Sequence, residues 1–166
     1  SAELRLLRAC EDAQLDDALQ LLRSREADVN CVGTDGRTPF LLACRSGSLE
    51  LVRLLLEARG SVEATDAEGY SGALLAAESG SAALLPWLLQ QGFASLEDRS
   101  DDGSTVLLCA AASGSVELIS WLLDEQLPGT EGCTISVEDR DERGADCLLV
   151  AAESGAVPLL NDLVRR

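Results

Sequence analysis

The sequence contains no histidine, no lysine and no methionine, and aromatic residues make up only 3% of it. Without histidine there is no serine triad and no cysteine–histidine nucleophile. The common histidine zinc sites and the usual switch near neutral pH are absent as well. All 13 basic residues are arginines, and 29 acids outweigh them to a formal net charge of -16. That sign opposes direct binding to nucleic-acid phosphates or to an anionic membrane. No apolar run approaches the ~20 residues that a membrane-spanning helix needs, and no secretory signal precedes the first charged residues. The six cysteines (Cys10, Cys31, Cys44, Cys109, Cys133 and Cys147) form no C-x-x-C pair. At 166 residues the chain is long enough to build a core without disulfides, so the thiols are expected reduced and the protein intracellular, in the cytoplasm or alternatively the nucleus. A start at Ser1 with no methionine anywhere suggests a segment of a longer protein.

What is present is periodicity. Hydrophobic residues make up 46% of the chain, too many for a disordered segment. Gly36, Gly69, Gly103 and Gly144 each precede an apolar run, and Gly47, Gly80, Gly114 and Gly155 each follow one. Both ladders keep intervals of 33, 34 and 41 residues. Self-similarity at such a period marks a stacked repeat architecture. The segments align as DGRTPFLLACRSGSLELVRLLLEA, EGYSGALLAAESGSAALLPWLLQQ, DGSTVLLCAAASGSVELISWLLDE and RGADCLLVAAESGAVPLLNDLVRR, with a less regular unit before them. Each reads as a short helix rich in small residues, a glycine connection, a longer amphipathic helix and an extended turn. One such pair cannot bury its apolar face alone, so the units must stack.

These units resemble ankyrin repeats. The strongest match is Asp35-Gly36-Arg37-Thr38-Pro39-Phe40-Leu41-Leu42-Ala43-Cys44, continuing as Gly47-Ser48-Leu49-Glu50-Leu51-Val52-Arg53-Leu54-Leu55-Leu56. The resemblance covers nearly the whole chain. It implies an all-α solenoid of helix–turn–helix units, organised as a single domain over 1–166 with units near 1–30, 31–64, 65–97, 98–138 and 139–166. The chain departs from the family at several places. Leu41, Leu74, Leu108 and Leu149 replace the family's first-helix histidine, and Ser71-Gly72, Thr105-Val106 and Asp146-Cys147 replace the Thr-Pro pair. Helix-starting hydrogen bonds are therefore expected to be weaker or differently made in the last three units. Pro86, early in a second helix, is expected to be partly tolerated there and to introduce a bend. The longer interval before the last unit predicts a protruding loop around 126–135. Asn161 and Asp162 in the final helix suggest a polar cap.

Trp87 and Trp121 share one repeat position and are read as an inter-unit core ladder rather than ligand anchors. Four cysteines fall in first helices and read as small buried hydrophobes. Cys133 is the candidate for an exposed thiol, in acidic surroundings that oppose reactivity. The paired acids lack the enclosing cleft that catalytic carboxylates need. Asp98–Gly103 has calcium-loop spacing without the closing glutamate. No residue is assigned to catalysis, a metal or a cofactor.

The resemblance places partner-binding residues on turn tips and exposed faces of first helices. In the second unit these are Asp35, Arg37 and Arg45; in the third, Glu68, Tyr70 and Glu78. The fourth offers Asp101, Asp102 and Ser104, and the fifth Glu142, Arg143 and Glu153. The expected function is a non-enzymatic module, monomeric as a fragment, that holds a protein or peptide partner of basic character on an acidic concave surface. Binding should then weaken with salt and on charge reversal at Asp35, Glu68 and Asp102. The alternatives are a structural spacer between flanking domains or a substrate-recruiting adaptor.

Overall fold

The computed structural model describes residues 1–123 and 135–165. Cys133 and most of the 126–135 segment lie outside the described residues. Among the described residues ten helices form five consecutive pairs: α1 (Ala2–Glu11) with α2 (Leu15–Arg23), α3 (Pro39–Ser46) with α4 (Leu49–Glu57), α5 (Gly72–Glu78) with α6 (Leu84–Gln90), α7 (Val106–Ser113) with α8 (Val116–Leu122), and α9 (Cys147–Glu153) with α10 (Val157–Arg165). Helices this short are marginal in isolation and depend on tertiary burial. That burial runs along the stack. The first helices pack in series as α1, α3, α5, α7 and α9. Ala43, Ala76, Ala110 and Ala151, each at 0% exposure, keep those helices close. Leu41, Leu74, Leu51, Leu84 and Leu118 are equally buried, each worth about 1.5–3 kcal/mol relative to an exposed side chain.

Local chemistry starts each helix. Thr38, Ser71, Thr105 and Asp146 accept hydrogen bonds from the amides of Leu41, Leu74, Leu108 and Leu149 at 3.3, 3.5, 3.3 and 3.0 Å. The expected weakening of helix starts in the last three units is therefore corrected. A side-chain oxygen at the N-cap is what the position requires, and serine and aspartate supply it as threonine does. Ser48, Ser81 and Ser115 likewise accept from the amides of Leu51, Leu84 and Leu118 at the entry to the second helices.

Pro86 acts at the entry of its helix. α4 begins at Leu49, directly after Ser48, whereas α6 begins at Leu84, three residues after Ser81. The helix loses its first residues, and the proline then lies in the opening turn, where the amide it lacks has no intrahelical partner. Trp87 and Trp121 are half-buried, like Leu54 at the same repeat position, rather than fully buried. Both pack against the core, and the Arg53 guanidinium lies 5.1 Å from the Trp87 ring centre.

The fifth pair leaves its stacking face open. Leu149 is 48% exposed, whereas Leu41, Leu74 and Leu108 at the same repeat position are 0%, 0% and 3% exposed. A Cβ added at Gly144 or Gly155 would meet nothing within 4 Å. Asn161 is exposed and Asp162 half-buried, at the positions that Arg53-Leu54 and Pro86-Trp87 hold in earlier pairs.

Candidate protein-binding surface

The tips between the helix pairs are tight turns joined to one another. Within each, an amide bonds a carbonyl four residues on: Gly33 to Arg37, Asp66 to Tyr70, Ser100 to Ser104 and Asp141 to Ala145, at 2.9–3.2 Å. Between them, the amides of Ala67, Asp101 and Glu142 bond the carbonyls of Asp35, Glu68 and Asp102 at 3.0, 3.0 and 2.9 Å. This register brings each turn against the next. It also explains the glycine ladder. Gly69 has φ +77°, and a Cβ there would lie 2.9 Å from the Asp101 amide nitrogen.

Three buried polar residues brace the tips. Asp66 Oδ1 accepts from the amides of Glu68 (3.0 Å) and Tyr70 (2.9 Å), and its Oδ2 accepts from Arg37 Nε at 3.0 Å. Asp141 repeats the arrangement. Its Oδ1 accepts from the Arg143 and Ala145 amides, both at 2.9 Å, and its Oδ2 takes two donors from the Arg143 guanidinium. The Ala145 amide is the main reason the Asp141 carboxyl is held below the usual range. In the fourth unit Ser100 takes this place, accepting from the Ser104 amide and donating to Asp102 Oδ1. The Ser100 hydroxyl is in turn the main cause of the lowered Asp102 pKa. Sequence reasoning singled out the exposed tip acids and missed Asp66, Ser100 and Asp141. The available signal was their recurrence three residues before Gly69, Gly103 and Gly144.

The sequence-derived candidates then divide by environment. Asp35, Arg45, Glu68, Glu78, Asp101, Asp102, Glu142, Arg143 and Glu153 are exposed, and Arg37, Tyr70 and Ser104 are half-buried. Arg37, whose side chain is 18% exposed, bridges Asp66 and Asp35 (3.0 and 3.4 Å) and ties two tips together. Arg143 pairs with Asp141 at 3.0 Å and Glu153 at 3.8 Å. Glu68, Glu78, Asp101 and Glu142 form no ion pair among the described residues. Tyr70, Glu78, Asp102, Ser104 and Arg143 line one cavity of about 150 Å³ with Leu108, Cys109, Ala112, Asp141 and Val150. Burial pushes the Tyr70 phenol up. Asp35, Arg37 and Arg45 do not join this cavity.

The described cysteines Cys10, Cys31, Cys44, Cys109 and Cys147 are unpaired. Burial raises the thiols of Cys10 and Cys109 to about 12 and that of Cys147 to about 11, and raises Cys44 as well. Among the described residues no group of His, Cys, Asp or Glu is placed to hold a metal ion. None of the described helices is long and apolar enough to cross a membrane.

The stacked pairs, the stitched turns and the capped helices define an ankyrin-repeat solenoid, and the chain belongs to the ankyrin repeat family. The family model "Ankyrin repeats (3 copies)" matches residues 6–98 and 73–165. Over 72 residues the chain is 40% identical to mouse ankyrin repeat domain-containing protein 63 and 39% identical to its human counterpart. Each match covers 43% of this chain and only 18% and 19% of those proteins, so the likeness extends to a limited part of them. Ankyrin repeats are generally non-enzymatic modules for protein–protein interaction.

Proposed function

We propose that this chain is a single non-catalytic binding domain that holds a basic protein segment along its turn tips and exposed first-helix positions. The carrying observation is the backbone stitching of successive tips. It sets Glu68, Asp101 and Glu142, exposed and without ion pairs among the described residues, on one braced edge. Fixed acids on a rigid edge favour a cationic ligand, because little ordering cost remains for the domain at binding. The lack of histidine and lysine supports a role without chemistry, and the unpaired thiols support a reducing, intracellular setting.

The structure refines the test suggested by sequence alone. Asp35 and Asp102 hold turn amides through their side chains, so reversing them also disturbs the turns. The cleaner variant reverses Glu68, Asp101 and Glu142 to lysine, with Glu50, Glu57 and Glu117 on the second helices as the matched control. Binding of an arginine- and lysine-rich peptide is measured by titration calorimetry between about 0.05 and 0.5 M salt. The tip variant should weaken binding roughly tenfold or more, the control much less, and salt should weaken the wild type. Equal loss in both variants, or preference for an acidic peptide, refutes the reading.

A further inference from the structure

We infer that the cavity between the third, fourth and fifth units is an anchor pocket for one arginine side chain of the bound partner. This inference rests on the function proposed above and specifies the chemistry of the ligand at one point on that surface. A volume of about 150 Å³ lies below the ~300–1,000 Å³ of small-molecule sites. It suits a single side chain, the form that interface anchors take.

The lining sets the kind of side chain. Leu108, Cys109 and Val150, all buried, provide an apolar floor for a methylene stem. Tyr70 supplies the only aromatic ring in the wall. The charged walls are Glu78, Asp102, Asp141 and Arg143. Asp141 and Arg143 neutralise one another through two hydrogen bonds of 3.1 and 3.0 Å, and Glu153 lies 3.8 Å from the same guanidinium. Glu78, with no ion pair among the described residues, and Asp102 therefore leave the walls net negative. Asp102 uses Oδ1 for the Ser100 hydroxyl and the Ser104 amide, which fixes its carboxylate in place for a cation. An anion would face this excess of acid, and a purely apolar side chain would leave Glu78 desolvated and unpaired.

Arginine fits these walls better than lysine. Its planar guanidinium pairs with carboxylates through two parallel donors, stacks on an aromatic face and is less strongly hydrated than an ammonium. A long stem against apolar residues with a charged head among acids is how such side chains normally lie on proteins.

The test uses three pentapeptides, acetylated and amidated, with glycine flanking a central arginine, lysine or citrulline. Methyl-labelled protein is titrated at millimolar peptide, and the Leu108 and Val150 resonances are followed. The arginine peptide should shift both; the lysine peptide should bind several-fold more weakly; citrulline, nearly isosteric but neutral, should leave them unmoved. Glu78→Gln, an exposed substitution that does not threaten the fold, should weaken the arginine peptide about tenfold, the loss of one charge-assisted hydrogen bond. Equal shifts with citrulline, or no shift at these methyls with the arginine peptide, overturns the pocket. If basic peptides still bind in a manner sensitive to Glu68, Asp101 and Glu142 while Leu108 and Val150 stay silent, the pocket is wrong and the tip-binding reading stands. Absence of any basic-peptide binding removes both.

Discussion

Replacing Asp66 by alanine should destabilise the protein by about 3 kcal/mol, although the residue lies in a turn. The carboxylate is 1% exposed and accepts two backbone amides and the Arg37 Nε. Each buried donor left unpaired costs ~1–3 kcal/mol. The Arg37 side chain is 18% exposed and retains Asp35 at 3.4 Å, so part of its loss is recovered through that carboxylate and water. Asparagine keeps an oxygen for the two amides and loses the ion pair, so Asp66→Asn should cost about 1–2 kcal/mol. Glu68→Ala, at the exposed tip two residues on, should stay within about 0.5 kcal/mol. Urea unfolding followed by far-ultraviolet circular dichroism measures all three. In thermal melts the alanine variant should fall by roughly 6–12 °C. If Asp66→Ala costs no more than Glu68→Ala, the bracing role is refuted. If alanine and asparagine cost the same, the two amide bonds contribute nothing measurable.

The two glycine ladders and the stacking positions give paired comparisons. Gly144→Ala should cost about 1–2 kcal/mol for its left-handed backbone alone, because nothing lies within 4 Å of the added Cβ. Gly69→Ala should cost clearly more, since its Cβ would also press on Asp101; equal unfolding midpoints would contradict this. Leu74→Ala, at a fully buried position, should cost ~2–5 kcal/mol. Leu149→Ala, at the same repeat position but 48% exposed, should cost under about 1 kcal/mol in the isolated chain, and similar losses would show that the face is covered. Stability should also fall at alkaline pH. The buried thiols have folded pKa values raised above their ordinary value of 9.0, to about 11 for Cys147 and about 12 for Cys10 and Cys109. Their contribution is complete below about pH 9 and declines as pH rises through 11 and 12, because the unfolded chain loses those protons first. Replacing Cys10, Cys109 and Cys147 by alanine should flatten that decline in urea midpoints measured from pH 8 to 11; an unchanged slope would count against it.

Much of the fold is legible in the linear pattern. Glycine at two fixed phases, alanine in the first helix and leucine at helical spacing in the second each meet a local requirement that recurs in every unit: a left-handed turn, close helix approach and an apolar face. The capping residues were legible only as chemistry. Thr38, Ser71, Thr105 and Asp146 differ as letters but share one oxygen at one distance from Cα, so comparison with the Thr-Pro pattern underrated three of them. Pro86 was legible as an early-helix residue, but the later start of its helix was not. Its effect depends on where the helix begins, and that start is negotiated with Ser81 and the neighbouring pair.

The binding surface divides the same way. Composition and repeat phase by themselves determined an acidic repeat domain with exposed carboxylates at its turn tips, because charge and period are properties of the linear chain. Only the tertiary structure decided which acids remain available and which are structural. Asp66 and Asp141 are indistinguishable from Glu68 and Asp101 in a count of charges, yet burial turns them inward onto backbone amides. The cavity uniting Tyr70, Glu78, Asp102 and Arg143 likewise exists only because successive units 34 and 41 residues apart are stacked against each other, a proximity that sequence separation does not encode.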